Sequence, residues 1–213
     1  MATVVSPGPV SPGPPYVAEA VTLVANPAPL GLIGFGLTTL LLSVINVGFI
    51  SAAPGPTAGS ISVVLATAIA FGGFGQIFAG MWEFRVGNTF GATAFTSYGL
   101  FWLSFVLIET IFAPDLPKDP TPILGMYALG WGIFTAYMFI ASLGGASRGV
   151  SVVFFLLALT FITLAIAFWA KSLPSAGWNQ ISGGLGLLTA IAAIYCSFAF
   201  VTNANFKRIV LPV

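Results

Sequence analysis

The chain has 213 residues, 58% of them hydrophobic and only 5% charged, with a formal net charge of +1. A soluble domain carries roughly 25% charged residues, so this surface cannot face water on all sides. The near-neutral balance offers no basic face to a nucleic acid, and the lack of any His removes the commonest metal ligand and the usual proton relay near neutral pH.

Residues 1–25 are rich in Pro and Gly and hold no basic residue. A secretory signal needs a positive stretch ahead of its apolar core, so this segment is expected to be a disordered extension. A short amphipathic piece over 16–24 is its one candidate element. Asn26-Pro27-Ala28-Pro29 then reads as a helix start at a membrane surface, since Asn caps and Pro is tolerated in a first turn.

About 20 apolar residues cross the ~30 Å hydrocarbon core of a bilayer. Residues 30–51, 60–82, 89–112, 121–143, 150–170 and 177–201 meet this length, and Pro, Gly and charged clusters separate them. No segment alternates polar and apolar residues as a membrane barrel strand would. The expected fold is therefore an all-α integral membrane protein, a six-transmembrane-helix bundle over 26–203 with a short cytoplasmic tail at 204–213. Arg85, Arg148, Lys207 and Arg208 fall on one side of such a bundle and Lys118 and Lys171 on the other. The richer side is normally cytoplasmic, which places both termini inside.

Asn26-Pro27-Ala28-Pro29-Leu30 opens the first span and Asp119-Pro120-Thr121-Pro122-Ile123 the fourth. Three spans between them put the two starts on opposite faces, as an inverted three-plus-three repeat would. The glycines at 31, 34, 36, 72, 73, 75, 183, 184 and 186 are read chiefly as sites of close helix approach. The lone Cys196, in an apolar run, is read as packing.

Ionisable residues inside a span are functional candidates because their burial is costly. Glu83 sits at the exit of span two and Glu109 near the end of span three. Both are candidates for gating or proton tuning, with an anchor at the interface the blander role for Glu83. No Lys lies mid-span, which argues against a retinal Schiff base. The neutral polar residues are richer: Phe35, Thr38, Thr39, Leu42 and Asn46 recur at helical spacing on one face of span one. With Asn26, Gln76 and Thr96, those Thr and Asn side chains form the candidate substrate path. The competing role for each is an inter-helix hydrogen bond of about 0.6 kcal/mol. There is no phosphate-binding loop, no His/Cys cluster and no nucleophile elbow. Nothing in the sequence supports an enzyme, and no cofactor or metal is implied.

The segments Asn26-Pro27-Ala28-Pro29-Leu30-Gly31-Leu32 and Gly34-Phe35-Gly36-Leu37-Thr38-Thr39 resemble the signature of the acetate uptake transporter family, the succinate–acetate permeases. The likeness continues through 76–80, 87–99, 127–139, 153–155 and 206–212, nearly everything after residue 25. It implies six-helix protomers assembled as homohexamers in the bilayer, each with its own pore, moving acetate and in some members succinate together with protons. It also implies a narrow apolar constriction of one Phe, one Tyr and one Leu, which by motif fall on Phe35, Tyr98 and Leu157. Glu109 and the N-terminal extension depart from the family pattern, and Glu109 inherits no role. The short chain resembles prokaryotic members, hence an inner or plasma membrane location. The function so implied is transport of acetate and related short carboxylates with protons. A passive acetate or acetic acid channel is the alternative, and a non-transporting scaffold or sensor a third.

Overall fold

The interior of a bilayer offers backbone polar groups no water, and a helix satisfies them within one segment. The computed structural model describes residues 24–50, 59–170 and 177–213, and all six apolar runs are helical in it. They are α1 (Ala28–Asn46), α2 (Ser60–Arg85), α3 (Thr89–Thr110), α4 (Thr121–Ser142), α5 (Arg148–Trp169) and α6 (Trp178–Phe206). A 3-10 turn, Ala113–Asp115, lies between α3 and α4. Among the described residues there is no strand. The extension at 1–23, with most of its candidate amphipathic piece, the Pro/Gly cluster at 53–56 and Lys171 lie outside the described residues.

The helix ends have identifiable causes. Asn26 Oδ1 accepts the Ala28 N–H at 3.0 Å, and Asp119 Oδ1 accepts the Thr121 N–H at 3.1 Å. The two Asx-Pro starts thus share one Asx-turn geometry, one residue ahead of the N-cap prolines Pro27 and Pro120 of α1 and α4. At the other end α1 stops at Asn46, short of the expected Ser51, because Gly48 takes φ +89, a left-handed turn that favours glycine. By contrast α6 runs past the expected 201 to Phe206, where Lys207 adopts φ 54. The tail folds back there. Asn203 Oδ1 accepts the N–H groups of Val210 and Leu211 at 2.7 and 2.9 Å, and its Nδ2 donates to the Leu211 carbonyl.

Helix α2 holds one feature that hydropathy does not foretell. Residues Ala68–Gly75 form a π-helical stretch inside the span, immediately before Gln76. π-Turns inside α-helices occur often at functional positions, because the wider turn re-aims the side chains that follow.

The bundle exposes an apolar surface and encloses an apolar core with a minority of polar side chains set into it. Phe78, Ile133, Ile140 and Phe198 are each more than half exposed. Thr38, Gln76, Glu83, Thr135 and Thr189 are at most 1% exposed. Glycines draw α1 against α6: a Cβ built on Gly183 would lie 2.5 Å from the Val47 nitrogen, so the two backbones touch there. Gly36 and Gly186 face Ile194 and Ser43 across the same seam, and Gly149 of α5 packs on Cys196. Gly184 alone of the glycines picked out within that run meets open space. The seam between α3 and α4 is looser. It is filled by rings, with Phe101 and Trp131 in edge contact at 5.1 Å and Tyr127 donating its hydroxyl hydrogen to Ser104 at 2.7 Å.

Candidate functional site

Three helices begin at one mouth. Asn26, Asn88 and Ser147 line a vestibule of about 370 Å³. Asn88 and Ser147 cap the helices that follow them, and Asn26, one residue before the N-cap Pro27, accepts the first helical N–H of α1. Asn88 Oδ1 accepts the Gly91 N–H at 3.1 Å, and Ser147 Oγ accepts the Val150 N–H at 3.3 Å, beside the Asn26–Ala28 bond already described. No first turn of α1, α3 or α5 carries an acidic residue. The free N–H groups and aligned peptide dipoles at the starts of α1 and α5 favour an anion at this mouth. The start of α3 instead already faces the Glu83 carboxylate, which accepts from Asn88 Nδ2 and lies against Gly91. Asn26→Ala is expected to cost about 0.5–1.5 kcal/mol of stability through the lost hydrogen bond to the first helical N–H. Uptake per folded molecule should fall further if the mouth also draws the solute. Uptake equal to wild type after correction for folded protein would leave Asn26 only its structural role.

Leu32, Ala94, Phe95 and Phe154 line both the vestibule and a second, much smaller cavity deeper in the bundle. The vestibule thus narrows into a neck. Phe35, Tyr98 and Leu157 stand around that neck together with Gln76, and the space between them is about 20 Å³. That is room for one water and not for a carboxylic acid. The Phe35 and Tyr98 rings lie 5.8 Å apart and Tyr98 and Phe154 6.0 Å apart, so the passage is closed by side chains that must move to admit a solute.

Hydrogen-bond direction at the neck can be worked out atom by atom. Thr135 has one hydroxyl hydrogen, and it goes to the Trp131 carbonyl at 2.7 Å. The 2.9 Å contact between Tyr98 and Thr135 therefore has Tyr98 as donor. The Tyr98 hydrogen points into the α3–α4 seam and is not available to the neck. Gln76 differs. It is 1% exposed, and both its amide nitrogen and its amide oxygen lack a protein partner. A buried unpaired amide is costly, so its retention points to a transient partner that passes or a water that waits there.

The other sequence-picked residues are distributed unevenly. Thr38 Oγ1 donates to the Gly34 carbonyl within α1 at 2.8 Å, whereas the buried Thr39 hydroxyl has no partner. Asn46 lies at the far end of α1, where its carbonyl accepts from Asn179 at 3.1 Å. Thr96 faces Gly80 across the α2–α3 seam and is not among the neck residues. Glu83 is buried, takes one hydrogen bond from Asn88 Nδ2 at 2.8 Å and leaves its second oxygen unpaired, whereas Glu109 is exposed on the last turn of α3. Sequence reasoning missed the caps at Asn88 and Ser147, although a capping residue ahead of an apolar run was the available signal. It also missed Trp102, buried beside Gly72 with its indole N–H unpartnered; a Trp in an apolar run carries no signal of that kind.

Comparison with known proteins places this arrangement. Residues 8–213 match the model of the GPR1/FUN34/yaaH family. The chain is 44% identical over 195 residues to the succinate-acetate/proton symporter SatP of Escherichia coli K12, covering 90% of this chain and 96% of that one. It is 35% identical over 205 residues to acetate permease A of Emericella nidulans, covering 89% of this chain and 65% of the relative. Among solved structures it resembles the bacterial acetate channel SatP, with a TM-score of 0.79 at 43% identity over 89% of this chain and 99% of that one. With a family model spanning nearly its whole length and a six-helix architecture shared with that solved structure, the chain belongs to the GPR1/FUN34/yaaH family.

Proposed function

We propose that this protein carries acetate, and short carboxylates related to it, across a prokaryotic inner membrane together with protons. The observation that carries this reading is the polarised mouth leading to an apolar neck with one unpaired amide in it. Relatives described as a succinate-acetate/proton symporter and an acetate permease support it. The mouth gathers the anion, and the neck passes the neutral acid. A carboxylate entering an apolar constriction loses its hydration without replacement, whereas the protonated acid carries no net charge to desolvate. In this scheme the proton crosses on the substrate. Of the candidate groups, Gln76 offers the neck a donor and an acceptor, Tyr98 only its oxygen as acceptor, and Thr38 and Thr39 stand behind the neck on α1 and do not line it. Glu83 and Glu109 tune the ends of the path and are not obligatory carriers. The protein works as a homohexamer with one path per protomer. Its termini face the cytoplasm, on the side that holds Arg85, Arg148, Lys207 and Arg208 against Lys118 opposite. The likeness to a protein described as an acetate channel favours a second reading, passive permeation of the same solute.

Uptake of labelled acetate into proteoliposomes, corrected for diffusion of the free acid, tests the proposal. Accumulation driven by a pH difference and abolished by a protonophore is expected for coupled transport; equilibration alone fits the channel, and no flux above empty vesicles fits a scaffold or sensor. The double variant Glu83→Gln, Glu109→Gln is expected to keep proton coupling at matched protein. Loss of coupling with acetate binding intact would show that a side chain carries the proton.

A further inference from the structure

Gln76 is the neck's only side chain with an uncommitted hydrogen-bond donor, and it carries an acceptor on the adjoining atom. Tyr98 has spent its hydrogen on Thr135, and the other residues around the cavity are apolar. Both polar atoms of the Gln76 amide are buried and unpartnered, so the argument holds whichever way the amide is turned. A donor and an acceptor side by side match a solute bearing the reciprocal pair. A protonated carboxylic acid is one such solute, with O–H donor and carbonyl acceptor. A carboxylate is not, because its second oxygen would meet the amide oxygen and be repelled.

We infer that the neck admits a second class of solute, short primary carboxamides, with acetamide as the simplest. Acetamide has the planar four-heavy-atom skeleton of acetic acid and presents N–H beside C=O, so it can close a cyclic two-hydrogen-bond pair with Gln76. It carries no charge at any ordinary pH. Its passage is therefore independent of pH and moves no proton, whereas acetate uptake falls as the neutral acid becomes scarce. The inference rests on the neutral-acid reading of the neck given above.

The test is influx of radiolabelled acetamide into proteoliposomes of the full chain at acidic and at neutral pH, with labelled acetate measured in the same preparation and protein-free vesicles as the baseline. The expected result is acetamide influx above that baseline, equal at the two pH values, with acetate influx greater at the acidic one. Gln76→Leu should lower acetamide influx by about tenfold or more, since the solute then enters an apolar neck with its hydrogen bonds unmade. Gln76→Met, unbranched like glutamine, serves the same comparison if the leucine variant does not fold. Acetate influx with acetamide at the baseline overturns this inference and leaves the acetate reading standing. Acetamide influx without acetate influx overturns the acetate reading and keeps the selectivity of the neck. A folded Gln76 variant that passes acetamide like wild type removes Gln76 from the role, and influx of neither solute overturns both.

Discussion

Gly34→Ala is expected to lower acetate uptake per folded molecule by about tenfold or more, equivalent to about 1.4 kcal/mol at the limiting barrier. A Cβ built on Gly34 lies 2.7 Å from the Phe71 carbonyl oxygen and 3.5 Å from Gln76 Cγ. Phe71 belongs to the π-helical stretch of α2. Its carbonyl is backbone and cannot swing aside as a long side chain would. Either α1 withdraws, taking Phe35 with it, or the π-turn shifts and moves Gln76. Overpacking of this kind costs about 1–3 kcal/mol in stability as well. Uptake should be read beside thermal stability in detergent. Gly184→Ala, where a Cβ meets open space, is the control. A Gly34→Ala protein that matches wild type in both measurements would mean that the π-turn does not set the neck.

The second large effect is expected at Leu157. This side chain is 4% exposed and forms one wall of the neck opposite two aromatic rings. Leu157→Ala removes most of that wall. The cavity penalty for such a truncation is about 2–5 kcal/mol, less if neighbouring rings relax into the gap. Where the protein survives, a wider neck should admit lactate, one hydroxyl-bearing carbon longer than acetate, and the lactate-to-acetate uptake ratio should rise several-fold. An unchanged ratio in a well-folded variant would take Leu157 out of the selectivity barrier.

The six spans were legible because membrane crossing imposes one length and one composition on every helix, and each run of about 20 apolar residues met both. Their ends were less so. Gly48 stops α1 several residues before its apolar run is exhausted, while α6 continues through the polar Thr202, Asn203 and Asn205. The π-turn could not be read, since the three glycines of that stretch loosen a helix without saying which way it deforms, and close helix approach explains them as well. Among polar residues, sequence could nominate but not rank. Thr96 and Gln76 are both polar groups in apolar runs, yet one faces a glycine across a helix seam and the other looks into the neck. The grouping of Phe35, Tyr98 and Leu157 was carried by family resemblance, because three residues on three separate helices share no spacing along the chain. The cradle of helix starts at the mouth is likewise a property of the bundle: only folding brings Asn26, Asn88 and Ser147 together.

Cys196, the chain's single cysteine, is 1% exposed and lies against Gly149 in the α5–α6 contact. A thiol reacts as its thiolate and only where a reagent can reach it, so a sulfur sealed between two helices is chemically silent. Water-soluble maleimides and mild oxidants have no route to it, and the natural chain behaves toward them as a cysteine-free protein. A thiol introduced by Arg148→Cys or Lys118→Cys, both exposed and at opposite ends of the bundle, is then the sole reactive group in the molecule. Labelling it from one face of a sealed vesicle or the other turns the direction in which this protein sits in its membrane into a measured quantity.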